Sequence, residues 1–168
     1  MTREPNIGKQ TTFFEAPDII FLKLRGGVVW EEGSEINRRH REWSQDLDRV
    51  FFLIDLSELD RIEPEVRKDA TKTLAEIPLR GMVGYGAPIK AKVIAKLIFT
   101  AMNLFSNKAD RVPLYFTDTE EQARAWIAER RRELDAAAPA ATARAAAATP
   151  PDDPNAKRLG GEGASHGR

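Results

Sequence analysis

The pattern of apolar and polar positions divides the first 134 residues into short, well-marked elements. Thr12 to Glu15 and Ile19-Ile-Phe-Leu-Lys-Leu-Arg25 have strand composition and length. Ala16-Pro17-Asp18 between them is turn chemistry, so the pair predicts an antiparallel hairpin, ended by Gly26-Gly27. From Gly33 to Asp46 the chain is polar, but Ile36, His40, Trp43 and Leu47 recur at spacings that share one helical face. Val50-Phe-Phe-Leu-Ile54 is an unbroken apolar run, which suits a central parallel strand covered on both faces. Pro64 then opens a helix whose buried stripe is Val66, Ala70, Leu74 and Ile77, stopped by Pro78. Arg80-Gly-Met-Val-Gly-Tyr85 is the next strand, and Pro88 starts a long helix through about Asn107. Pro113 places Arg111-Val-Pro-Leu-Tyr-Phe116 at a sheet edge. Asp118 followed by Glu121 has N-capping spacing, and Ala123, Trp126, Ile127 and Leu134 supply the last helix's apolar face. The order ββαβαβαβα predicts an α/β layered fold with a mostly parallel sheet and an antiparallel edge strand.

Outside these elements the composition changes. Residues 1–11 have no apolar run and are expected to be a flexible leader, with one domain over 12–134. From Asp135 to Arg168 the chain is rich in Ala, Pro and Gly with almost nothing large to bury, so 135–168 is expected to be a disordered tail. The most apolar segment, Val93 to Phe105, carries Lys96 and Asn103 and is too short to span a bilayer, which needs ~20 residues. The absence of cysteine removes disulfide, thiolate and Cys-metal chemistry. Together these features point to a cytoplasmic protein. The 26 basic and 26 acidic side chains leave no net charge, so there is no basic footprint for nucleic acid.

The helix beginning at Pro88 departs from an ordinary amphipathic pattern. At ~100° per residue, Ile89, Val93, Ile94, Leu97, Ile98, Phe99, Ala101, Met102, Leu104 and Phe105 cover much more than the single stripe a sheet can bury. No acid occurs from Ala87 to Ala109, while Lys90, Lys92, Lys96 and Lys108 are all basic. Three uses compete for the surplus: burial against neighbouring elements with lysines reaching outward, a homo-oligomer or protein interface, and cover for an apolar small molecule or peripheral contact with a membrane surface. Val93, Leu97, Ile98, Met102 and Phe105 are the candidate ligand- or partner-binding residues.

Leu53-Ile-Asp-Leu-Ser-Glu-Leu-Asp-Arg-Ile-Glu-Pro-Glu65, an apolar strand with Asp55-Leu-Ser57, an anchor at Ile62 and then a helix start, resembles the STAS superfamily. The run Arg80 to Tyr85, the apolar helix and Tyr115-Phe-Thr-Asp-Thr-Glu-Glu-Gln-Ala-Arg-Ala-Trp-Ile127 are similar to its SpoIIAA-like (STAS/SEC14-related) branch, so the resemblance spans roughly 12–133. It implies a STAS/SpoIIAA-like layered fold and an interaction domain, with lipid-like ligands on the SEC14 side. In phosphoswitch members an aspartate and a phosphate-accepting serine precede the helix. Here Glu63 stands at the aspartate and Pro64-Glu65 replace the serine, which disfavours a kinase-controlled antagonist. Glu65 has two readings, a fixed charge in place of phosphate or ordinary stabilisation of a helix's first turn.

Catalytic and cofactor patterns are absent. Gly84-Tyr-Gly-Ala-Pro-Ile-Lys90-Ala91 lacks the second glycine and the hydroxyl of a phosphate-binding loop. His40, amid Arg38, Arg39 and Arg41, has no partner histidine in the folded part for a metal site and no nucleophile pattern beside it. The acidic pairs Glu31-Glu32 and Glu120-Glu121 do not converge on one bond by sequence, and Arg130-Arg-Arg132 alternates with acids as a solvated helix face does. An enzyme would have to gather Asp55, Glu63 and His40 in one cleft. The expectation is a noncatalytic module without metal or cofactor, self-associating or binding an apolar partner through the 90–107 helix. Lipid-like ligand or membrane-surface binding is the alternative, and a phosphorylation-independent anti-sigma-factor antagonist comes third.

Overall fold

The computed structural model describes residues 5–104 and 111–147. The chain divides into two units, Met1–Arg131 and Arg132–Arg168. Its elements are β1 (Asn6–Ile7), β2 (Gln10–Glu15), β3 (Ile19–Val28), α1 (Trp30–Ser44), β4 (Val50–Ile62), α2 (Pro64–Glu76), β5 (Leu79–Tyr85), α3 (Ile89–Asn103), β6 (Leu114–Thr117) and α4 (Glu120–Ala147). The six strands form one sheet in chain order. The β1/β2 and β2/β3 pairs are antiparallel, and β3/β4, β4/β5 and β5/β6 are parallel, so the expected α/β layering with an antiparallel edge is present.

Each parallel pair is joined through a helix, and right-handed crossovers between successive strands set α1, α2 and α3 on the same face. There Ile20, Leu22, Phe52, Ile54 and Met82 pack with Ile36, Val66, Leu74 and Phe99 in one core. On the other face Phe21, Phe51, Leu53 and Val83 are buried together with Ala123 and Ile127 of α4. Gly81 lets α4 approach closely, since a Cβ there would lie 2.9 Å from the Trp126 ring.

Several boundaries differ from the sequence expectations for physical reasons. Gly26-Gly27 does not end β3: Gly26 takes a φ of 61°, and the strand continues to Val28 through register shifts against an equally extended β4. Such bulges bend a strand without terminating it. Within the expected leader, Asn6–Ile7 form β1 and β2 already begins at Gln10, which is fully buried. The Gln10 amide donates to the Arg25 carbonyl and to Glu32, and its carbonyl oxygen accepts from the Arg25 N–H at 2.8 Å. Helix α1 starts at Trp30, three residues earlier than expected. Helix α4 is capped by Thr119, not Asp118: Gln122 N–H donates to Thr119 Oγ1, and Gln122 Oε1 accepts from the Asp118 and Thr119 N–H groups, a capping box.

In the second unit α4 continues through the expected tail boundary to Ala147, with Pro139 inside it, in keeping with alanine's helix propensity. The remainder of the expected tail, 148–168, lies outside the described residues.

Candidate functional site

The five residues singled out on α3 do not form one surface. Val93 and Leu97 point outward, 60% and 54% exposed, in line with Ile89 at 82% and Leu104, just past the helix, at 66%. Met102 is buried in the core, and Ile98 is half-buried against it. Phe105 and the end of the expected helix at Asn107 lie outside the described residues. Alanine decides which arc goes down: Ala91 is fully buried and Ala95 is half-buried, and their small side chains let the helix settle close to the sheet. The rest of the apolar arc is left facing out as a stripe of Ile89, Val93, Leu97 and Leu104, flanked by Lys90, Lys92 and Lys96.

Beneath the same helix is a cavity of about 90 Å³ between the sheet and the three-helix layer. Ala95, Ile98 and Phe99 close it from α3, Ile36 and Val66 from α1 and α2, and Leu22, Phe52 and Ile54 from the sheet. Its polar lining groups, Asn37 and His40, both come from α1. Asn37 donates to Asp69 at 2.9 Å. His40 Nε2 lies 2.9 Å from Thr12 Oγ1, whose hydroxyl donates to the Phe21 carbonyl at 2.8 Å. That hydroxyl has one proton and it is committed, so Nε2 must carry the hydrogen and donate. Burial, with a smaller contribution from the Arg41 charge, pushes the imidazole down to about 3. His40 is therefore a neutral core group at physiological pH.

The junction of β4 and α2 holds Glu63, Pro64 and Glu65. Pro64 occupies the first turn, where its missing N–H costs nothing. Glu63 precedes it but does not cap α2 with its side chain; it accepts the Trp30 N–H at 2.8 Å and so caps α1. Val29, the residue before α1, has no side-chain acceptor to offer, its carbonyl being taken by the Gly33 N–H. Glu65 is exposed in the first turn of α2. No local sequence signal marks the Glu63 contact, because it joins residues 33 apart.

Asp55 anchors a third cluster, on the α4 face of the sheet. Its Oδ1 accepts from the Ser57 N–H at 3.0 Å and the Ser57 hydroxyl at 2.6 Å, and Oδ2 pairs with Lys23 at 2.8 Å. Burial pushes its carboxyl up, but the Lys23 and Ser57 hydrogen bonds outweigh this and hold it below its ordinary value. Tyr85, in register with Asp55, donates to Glu120 at 3.2 Å, and burial together with the two nearby carboxylates raises its phenol. Asp55, Glu63 and His40 thus occupy separate environments and do not form a cleft. Among the described residues no three His, Cys, Asp or Glu side chains group to hold a metal ion, and no helix is long and apolar enough to cross a membrane.

No family model matches the chain, and no curated protein matches its sequence. Among solved structures it is similar to an uncharacterised protein of the DUF3478 family with a SpoIIAA-like fold from Shewanella loihica PV-4. The TM-score is 0.51 at 15% identity, over 70% of this chain and 90% of that one. The chain has the SpoIIAA-like fold, as the motif order between Leu53 and Ile127 implies.

Proposed function

We propose that this SpoIIAA-like domain is a noncatalytic binding module that engages an apolar partner, a second copy of the chain first among them, through the outward face of α3. The observation that carries the reading is the row Ile89, Val93, Leu97 and Leu104, four large apolar side chains each more than half exposed along α3 and its C-cap. Scattered apolar residues are normal on a surface, whereas a contiguous row marks a place that is covered in use. Light scattering across a concentration series tests it: the wild type is expected to associate, and Leu97→Asp to remain monomeric with unchanged circular dichroism. A wild type that stays monomeric at high concentration and recovers no partner removes the self-association reading.

The cavity under α3 favours a second reading, in which the helix covers a small apolar molecule. Space of about 90 Å³ with an almost wholly apolar lining takes a short hydrocarbon group and excludes water. Native mass spectrometry of the purified protein is expected to show a retained hydrophobic adduct that mild organic solvent releases. A clean apo mass counts against it.

A further inference from the structure

The outer edge of β6 offers a second surface, independent of the outward stripe on α3. β6 is the last strand of the sheet and pairs only with β5 among the described residues. In a parallel ladder both backbone groups of alternate residues face the partner strand. Met82 N–H donates to the Pro113 carbonyl at 3.0 Å and Gly86 N–H to the Thr117 carbonyl at 3.2 Å, so residues 113, 115 and 117 face β5. The N–H and C=O groups of Leu114 and Phe116 therefore point away from the sheet. Pro113, the residue that marks this strand as an edge in the sequence, belongs to the inward-facing set, so its missing N–H does not block the outer side. Edge strands are commonly protected by charge, proline or bulges, but Leu-Tyr-Phe-Thr carries none of these.

A groove of about 540 Å³ runs beside this edge, lined by Lys96, Phe99 and Thr100 of α3 and by Leu114, Tyr115 and Phe116 of β6. That volume falls in the ~300–1,000 Å³ range of ligand clefts. Lys92 lies over the Phe116 ring, 5.9 Å from its centroid, and Lys96 is exposed along the groove. Helix α3 contains no acid, and neither lysine has an acidic partner among the described residues. An open strand edge beside a helix is the geometry in which an extended peptide adds as a further strand, held by main-chain hydrogen bonds and selected by side-chain pockets. The two lysines add a preference for negative charge.

We propose that the α3/β6 groove docks an extended peptide segment of a partner, paired to the Leu114 and Phe116 backbone and carrying a carboxylate that meets Lys92 and Lys96. The probes are two fluorescein-labelled octapeptides, Ser-Val-Thr-Val-Ser-Val-Asp-Glu and its counterpart ending in Lys-Arg, titrated against the full chain by anisotropy, with amide exchange followed by NMR. The acidic peptide is expected to bind at least about tenfold tighter than the basic one, and to slow exchange of the Leu114 and Phe116 amides. Lys96→Glu, at an exposed position, should lose about tenfold in affinity with an unchanged amide spectrum, as reversal of a charge at a binding rim does. Leu97→Asp should bind the acidic peptide like the wild type, which separates this site from the α3 stripe. Equal binding of the two peptides, no binding of either, or binding without protection of those two amides overturns the proposal. So does protection in the free protein, whether constant, with the edge already covered, or growing with protein concentration, with a second copy occupying it.

Discussion

Lowering the pH from 7.5 to 5 should destabilise the protein through one side chain, His40. In the folded chain burial holds its imidazole at about 3, whereas its unperturbed value is 6.5. Between these values the unfolded chain binds a proton that the folded chain does not, so stability is complete above about pH 6.5 and falls as pH drops toward 3. The slope is about 1.4 kcal/mol per pH unit for a single site. The 1.5 units from pH 6.5 to 5 therefore cost about 2 kcal/mol, a large share of the ~5–15 kcal/mol that holds most domains together. Glu35, held at about 2 by hydrogen bonds from Arg38 and Arg39, has the opposite chemistry but the same sign: its contribution is present above its ordinary 4.5 and lost below it. Asp55 behaves likewise below 3.8. The interval from pH 6.5 to 5 thus isolates the histidine. Urea unfolding at pH 7.5, 6.5, 5.5 and 5 reads it directly: with a slope of ~2 kcal/mol/M, the midpoint should fall by about 1 M at pH 5. His40→Gln keeps a donor for Thr12 and does not titrate, so its midpoint should be level over the same interval. A wild-type midpoint unchanged down to pH 5, or a His40→Gln variant with the wild-type slope, refutes the reasoning.

Two substitutions test how the helical layer is assembled. A Cβ at Gly33 would sit 2.4 Å from Val66 Cγ1, so Gly33→Ala forces α1 and α2 apart and should cost ~1–3 kcal/mol in chemical denaturation, despite alanine's better helix propensity. Glu63→Ala removes the acceptor for the Trp30 N–H and should lower stability by about 1 kcal/mol, while Glu63→Gln, which retains an acceptor oxygen, should recover most of it. If the glutamine variant is as weak as the alanine one, charge and not capping is what Glu63 contributes.

The strand and helix order was legible because each element between Thr12 and Ile127 has its own periodicity and punctuation. The apolar run Val50–Ile54 could only be a doubly covered strand, and Pro64, Pro78 and Pro88 bracket helices where the physics of proline requires it. What sequence could not show depends on partners distant along the chain. Gly26-Gly27 reads as a stop until β4 is seen beside it, and Asn6-Ile7 reads as leader until Gln10 is seen fixed to Arg25 and Glu32. On α3 the helical arc was correct, but an arc does not say which side faces down. Choosing five of its residues as one surface therefore joined outward Val93 and Leu97 to inward Ile98 and Met102. The cavity is a gap between helices and has no sequence signature. The Glu63 contact has none either.

The sheet adds its strands in the order in which a ribosome delivers them. From β2 onward, each emerging strand finds its neighbour already synthesised, so assembly can proceed from one end without waiting for a distant segment. The two faces do not mature together. Helices α1 to α3 arrive between strands and cover their side progressively, whereas Phe51, Leu53 and Val83 stay bare until α4 follows the final strand. A chain cut off before Glu120 carries every strand of the sheet but leaves one greasy side open to solvent or a chaperone, and the arrival of the last helix is what makes it safe.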